Sequence, residues 1–249
     1  VTPEGRTIEV DAPHLRKKIM SRTATAESTA EGLADALTRL RGEAPIGNRF
    51  YERMAAGRLT LDDVRGLIRV EAKAAAAEIT AYSIGGFRHR HEIFMPLSEM
   101  AYSAWTKLPA MARALDLSEE HLDGPWKPET FSYPGYLCWT ALHYDQADFG
   151  MALYADLERY QAGSRQIADG FRTVEFTVPD EVIEYYDSGV PDRLAEKALA
   201  FVQEGLDDGG NPVRACNAGR VMEEIVGQYW TAAISAHGPD DAGPDKKPA

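Results

Sequence analysis

Residues 68–82, IRVEAKAAAAEITAY, have one regular conformation open to them. The stretch is rich in alanine and contains neither Gly nor Pro, so helix is its lowest-cost backbone. Counting about 100° per residue from Val64, Ile68, Ala75 and Tyr82 fall within roughly 40° of one line. Glu71 and Glu78 fall on that same line, Arg69 and Lys73 land opposite, and Arg65 lies on the flank. Two carboxyl groups therefore stand in an apolar stripe, with alanines beside them where larger core residues would be expected. Seven residues of helix rise about 10.5 Å, so the two cannot share a proton directly. They can line two ends of a small-molecule pocket or supply metal ligands between helices. The alternative is a half-buried face whose acids pair with Arg or Lys from a neighbouring element.

The rest of the chain narrows the setting. Its 249 residues and 44% hydrophobic content suit one substantial domain. A formal charge of −12 argues against a nucleic-acid partner, because neutralising phosphates needs a basic face. Local basic clusters exist, such as FRHRH at 87–91, which reads as a solvated turn with His89 and His91 exposed. Cys138 and Cys216 lack the spacing of a zinc or redox motif. Two thiols fit a reducing cytoplasm, although a single disulfide stays open. No signal peptide is visible at the start of this sequence, and no apolar run approaches the roughly 20 residues that span a bilayer. These features predict a soluble, cytoplasmic protein with no membrane partner.

Helical patterning continues along the chain. ESTAEGLADALTRLRG has a Ser28/Glu31 capping-box pattern and closes at Gly42, and GNRFYERMAAGRLT gives a short helix ending at Gly57. Thr60 caps the helix of the opening stretch, with Asp62 and Asp63 in its first turn; Gly85 and Gly86 end it. A helical pattern from His91 to Leu115 is interrupted at Pro96 and Pro109, and DGPWKPETFSYPG reads as the main connector. Helix resumes from Tyr136 to Phe171 with a break near Gly150, and three further helices follow, each with Pro near its start. FRTVEFTV is the one β-like alternation. The expectation is an all-α domain of eight to ten helices over residues 26–236, with an N-terminal arm at 1–25 and a disordered charged tail at 237–249.

Other candidates for chemistry are scattered. His143 lies in CWTALHYDQADFGMALY, where a lone histidine is more often structural than catalytic, and no triad forms around it. In ALYADLERYQAGSRQIADGF, Leu153, Leu157 and Tyr160 form the core line, while Asp156, Glu158 and Arg165 belong to the polar face. Tyr185 and Tyr186 read as packing residues with a satisfied hydroxyl, followed by Arg193 and Glu196. There is no phosphate-binding loop, dinucleotide fingerprint, nucleophile elbow or H-E-x-x-H.

RFYERMAAGRLTLDDVRGLIRVEA resembles the opening of the heme oxygenase-like fold. YPGYLCWTALHYDQADFGMALYADLERYQAGSRQIADGF resembles its central helices, and EYYDSGVPDRLAEKALAFVQEGL with EEIVGQYW its last two. The likeness covers residues 45–235 and is strongest to the branch of PqqC-type oxidases, TenA-type thiaminases and heme oxygenase-like diiron oxidases. It implies a single internal pocket and a homodimer. The diiron ligand pattern is mostly lost. Its first Glu falls on Glu71, but its first His becomes Glu78. The second Glu falls on Leu157, and the last three positions fall near Gly189, Arg193 and Glu196. A carboxylate remnant of Glu71, Glu78 and Glu196 leaves open one weakly held iron. The thiaminase nucleophile falls near Ala155 and its acid near Val226, which disfavours thiamine hydrolysis.

What remains is PqqC-type logic, which needs no bound cofactor and uses O2 as co-substrate. It implies Glu71, Glu78 and His143 as catalytic groups, and Tyr82, Tyr160, Arg165, Tyr186 and Glu196 as substrate contacts. The expected function is metal-independent or weakly metal-dependent oxidation or proton transfer on a small organic molecule in secondary metabolism. A catalytically silent binding protein and a degenerate diiron oxidase are the alternatives.

Overall fold

The computed structural model describes residues 28–122, 128–188 and 193–235, which form ten helices and no strand. The N-terminal arm and charged tail expected at 1–25 and 237–249 lie outside these residues, as does Gly189. The helices are α1 (Ala30–Glu43), α2 (Arg49–Ala55), α3 (Leu61–His89), α4 (Phe94–Ala114) and the short α5 (Glu119–Leu122). After them come α6 (Pro128–His143), α7 (Gln146–Phe171), α8 (Asp180–Asp187), α9 (Leu194–Asp207) and α10 (Pro212–Ser235).

Local chemistry accounts for most of the ends. Thr60 and Asp63 form a reciprocal capping box at the start of α3, each side chain bonding the other's backbone N–H. Asn48 caps α2 by accepting from the N–H groups of Phe50 and Tyr51, and Asp145 caps α7 by accepting from Asp148. At α1 the cap is Thr29 rather than Ser28, with Gly32 as donor. Gly57 leaves α2 with φ of +63°, a conformation natural to glycine.

Several glycines and prolines expected to break helices lie inside them instead. Gly85 and Gly86 are passed by α3, which runs on to Arg90 in the left-handed region. A Cβ on Gly85 would overlap Phe94 and Phe149, so this glycine serves close helix approach. Gly150 lies inside α7, where a Cβ would stand 2.7 Å from Val202; the break falls earlier, at the Asp145 cap. Pro96 occupies the first turn of α4, where no intrahelical donor is required. Pro109 and Pro134 are accommodated inside α4 and α6, so much of the expected connector around Tyr133 is helix. The stretch FRTVEFTV leaves α7 as turn and coil with no strand.

The long helices α7 and α10 pack along each other, and α9 lies against α7. Helix α3 is flanked by α4, α6 and α10, while α8 bridges α7 and α4. Helices α3 and α7 meet where Gly85 and His89 face Phe149 and make few other close approaches. The space between them is filled by tyrosines reaching in from α6, α8 and α10, with Phe50, Phe149, Phe201 and Trp230 completing the core. Full burial of each such side chain contributes about 1.5–3 kcal/mol. His89 is half-buried against Phe94, Phe149 and Phe201, not exposed at a turn. Lys73, expected on the solvent side of α3, is buried with its ammonium donating to the Leu122 carbonyl.

The closest approach of a glycine to another helix's backbone gives a stability test. A Cβ on Gly205 would come within 2.5 Å of the Ala147 backbone nitrogen, which cannot rotate away, whereas one on Gly42 would meet nothing within 4 Å. Gly205→Ala is expected to destabilise by at least about 1–3 kcal/mol. Gly42→Ala should be neutral or gain up to about 1 kcal/mol. Urea unfolding of the two variants checks the difference.

Candidate active site

A cavity of about 380 Å3 opens between α3, α4, α7 and α8. Helix α3 contributes Glu78 and Tyr82, α7 contributes Asp156, Leu157, Tyr160 and Ser164, and α8 contributes Tyr185 and Ser188. The α4 wall is mixed, with Met100 and Ala104 inside and exposed Glu99 and Lys107 at the mouth.

Three carboxyl groups define the interior. Tyr133 reaches in from α6 with its hydroxyl 2.9 Å from Glu78 Oε1 and 2.8 Å from Asp156 Oδ2. A phenol has one proton, so it donates to only one of these oxygens; at the other contact a protonated carboxyl must be the donor. Glu71 lies behind the cavity wall. Its Oε1 accepts from Tyr186 at 3.0 Å, and its Oε2 accepts from Tyr185 at 3.2 Å and Tyr160 at 3.4 Å. Tyr229 is near enough to favour the ionised Glu71 without closing a hydrogen bond.

Burial raises all three carboxyl pKa values. Glu71 is pushed up to about 7 by desolvation and then by the neighbouring Glu78, against the opposing pull of its tyrosines. Glu78 is also pushed to about 7 by desolvation, opposed by Tyr133. Asp156 reaches about 8 through desolvation and the charge of Glu78, with a smaller push from Glu71. Burial and the nearby carboxylates hold the surrounding tyrosines well above their ordinary range, so they act as neutral phenols.

Buried acids elsewhere in the described residues are treated differently. Asp63 pairs with Arg53 at 3.2 Å, Asp148 pairs with Arg214, and Glu223 lies between Arg41 at 3.0 Å and Arg220 at 3.3 Å. Glu71, Glu78 and Asp156 are bonded by phenols and take no part in an ion pair. Of the two readings of the stripe glutamates, pairing with a neighbouring Arg or Lys is not what the described residues show; a tyrosine shell holds them.

The expected site residues divide into two groups. Glu78, Tyr82 and Tyr160 line the cavity, and Glu71 and Tyr186 stand directly behind it. His143 is exposed on α6 with its ring 4.1 Å from that of Trp139, Arg165 is exposed on α7, and Glu196 is exposed and paired with Arg193 at 3.0 Å. Those three placements are corrected: none of them lines the cavity.

Asp156, Tyr133 and Ser164 had been missed. Residues 153, 156, 157, 160 and 164 follow the i, i+3, i+4, i+7, i+11 spacing of one apolar face, so the signal for Asp156 and Ser164 was present. Polarity had assigned Asp156 to the outer face. Tyr133 was hidden in a segment whose prolines suggested a connector.

The donor set does not fit iron. Glu196 is on the surface, no histidine lines the cavity, and among the described residues no three His, Cys, Asp or Glu side chains gather to hold a metal ion. Ala155, where the thiaminase nucleophile would fall, is buried, while its neighbour Asp156 lines the cavity. Neither cysteine lines the cavity, and no disulfide joins them.

Comparison with solved structures identifies the fold. A TenA homologue from Pyrococcus furiosus matches with a TM-score of 0.63 and 14% identity, over 81% of this chain and 99% of its own. A TenA homologue from P. horikoshii OT3 matches at 0.61 and 12%, over 88% and 98% of the two chains. A TenA-like thiaminase candidate from Sulfolobus solfataricus P2 matches at 0.53 and 18%, over 83% and 96%. The fold is the TenA-type, heme oxygenase-like helical fold. No protein-family model matches the sequence, and no curated protein sequence matches it significantly. No helix among the described residues is long and apolar enough to cross a membrane.

The raised carboxyl pKa values fix the sign of a pH dependence. The folded chain holds protons that ordinary carboxyls, at 3.8 for Asp and 4.5 for Glu, have already released when unfolded. Their contribution to stability is fully present below those unfolded values and is lost as pH rises through about 7 to 8. The melting temperature is expected to fall by several degrees between pH 5.5 and pH 8.5, and Asp156→Asn should reduce that slope. A flat or rising profile in the wild type would contradict the protonated site.

Proposed function

We propose that this chain is an enzyme that transfers protons on a small organic molecule held in the cavity, with Glu78 and Asp156 as its acid–base pair. The observation carrying this reading is the contrast among buried acids: those with structural partners have arginines, and those at the cavity have only phenols. A protein gains no stability from leaving a buried charge uncompensated, and perturbed carboxyls in a cleft are characteristic of catalytic sites.

The two groups are suited to opposite roles. Desolvation raises both carboxyls, and the single phenol proton between them requires one of the pair to stay protonated, so the pair presents an acid and a base together. Glu78 takes a proton from one atom of the substrate and Asp156 returns one at another. Tyr133, bonded to both, lets the protons redistribute so that the pair is restored without bulk water. Glu71 acts through the wall, fixing Tyr160 and Tyr185 by accepting hydrogen bonds from their hydroxyls.

Oxidation of the PqqC type is the finer form of the proposal. It adds O2 as co-substrate and retains the same proton transfers, which are what the cavity residues supply. No step requires iron. Cysteine-dependent hydrolysis, the chemistry implied by the resemblance to thiaminases, has no thiol at the cavity to support it. A homodimer belongs to the proposal on the resemblance alone.

The test is metabolite profiling of small-molecule extracts incubated with wild type, Asp156→Asn and Glu78→Gln, in air and under argon. Wild type should consume a compound that each variant consumes about 10²–10⁴-fold more slowly, with folds intact by circular dichroism. Arg165→Gln and Glu196→Gln should retain wild-type rates. Dependence on air would select the oxidative form. Equal consumption by wild type and both cavity variants would overturn the proposal, and a compound that copurifies unchanged would favour a silent binding protein.

A further inference from the structure

Ser164 is unusual among the helical hydroxyls of this protein. Thr38, Thr80, Ser83 and Thr231 each donate to the carbonyl four residues earlier, the ordinary resting place for a hydroxyl within a helix. Ser164 is 1% exposed, yet its Oγ has no hydrogen-bond partner. It belongs to the cavity wall. A buried hydroxyl with nothing to bond is costly to a fold, and a serine rotor can turn between staggered positions to meet a ligand.

The same condition recurs at the acid end of the cavity. Asp156 Oδ2 is engaged by Tyr133, but Oδ1 is buried without a partner. Asp156 and Ser164 lie eight residues apart on α7, about 12 Å along the helix axis. Between them the wall is Leu157 and Tyr160, with Tyr185 contributed from α8. The α7 side of the cavity is therefore apolar and aromatic between two residues with unsatisfied polar atoms, and it faces the mixed α4 wall of Met100, Ala104, Glu99 and Lys107. Its volume of about 380 Å3 has room for a two-ring compound.

We infer that the cavity takes a flat, elongated organic molecule with a hydrogen-bonding group at each end, one met by Asp156 Oδ1 and the other by the Ser164 hydroxyl. This rests on the reading of the cavity as a substrate site and adds the shape and polarity of what enters it. Ser164 sets specificity by rewarding a ligand that carries the distal group. Glu71 has no direct part in this recognition, because Tyr160 and Tyr185 stand in front of it.

The probes are 4,4′-dihydroxybiphenyl, polar at both ends, and 4-hydroxybiphenyl, polar at one, measured by titration calorimetry. Wild type should bind the diol about five- to tenfold more tightly, the value of one added neutral hydrogen bond. Ser164→Ala should bind the two compounds equally, with an unchanged affinity for the mono-ol and an unchanged or higher melting temperature. A structural serine would instead lower the melting temperature and leave the preference intact. An undiminished diol preference in Ser164→Ala would overturn the inference, as would failure of wild type to bind or to distinguish the two probes. If Asp156→Asn loses turnover while Ser164→Ala keeps the diol preference, this inference fails and the acid–base reading stands.

Discussion

Tyr133 has one proton to give and two carboxyl oxygens within 2.9 Å of its hydroxyl. With both half-buried Glu78 and buried Asp156 ionised, one oxygen would face the phenol lone pairs across a contact of hydrogen-bond length, where burial weakens the screening of the repulsion. The arrangement is satisfied only when a carboxyl supplies the second proton. Proton count and geometry are thus tied together: the helix positions that bring Tyr133 between α3 and α7 also require an acid to remain neutral. Through these two contacts Tyr133 links α3 to α7 beside the cavity.

The buried acids outside the cavity show what the fold does when a carboxylate has only a structural task. Asp63 closes the α3 cap and meets Arg53, Asp148 in the first turn of α7 meets Arg214, and Glu223 ties α10 to α1 through Arg41. Each stands at a helix end or a junction between helices, with a cation to offset its desolvation. The cavity acids are placed mid-helix and given hydroxyls, which allow the neutral form to persist. Small residues provide the necessary space. Alanines along α3 leave room beside the two glutamates, and Gly150 and Gly205 let α7 and α9 approach closely behind the cavity.

Fold class was legible because helical periodicity and caps are local: Thr60 with Asp63, Asn48 before α2, and the opening alanine-rich stripe all state their structure within one or two turns. The errors came where a residue's local preference was overridden by a neighbour distant in sequence. Gly85 and Gly150 look like breaks until Phe94, Phe149 and Val202 are seen against them. Glu71 and Glu78 were visible as stripe residues, but their tyrosine partners come from helices α6, α7 and α8, up to 115 positions away. Asp156 was misplaced because polarity was allowed to outweigh spacing. Arg165, His143 and Glu196 follow from position and residue type in the resemblance, and the helix faces carry them outward.

The position of Glu71 explains why a third carboxyl is useful without touching a ligand. Its charge opposes ionisation of Asp156, just as the charge of Glu78 opposes its own, so the three titrate as a coupled set. The first proton lost makes each later one harder to remove. Because tyrosine hydroxyls stabilise an ionised Glu71 on both oxygens, a negative charge can rest there and hold Asp156 in its protonated, donating form. A cation in the same place would do the reverse, drawing protons off all three groups and leaving the cavity with bases but no acid. The absence of an arginine partner at Glu71 is therefore as consequential for the site as the carboxyls themselves.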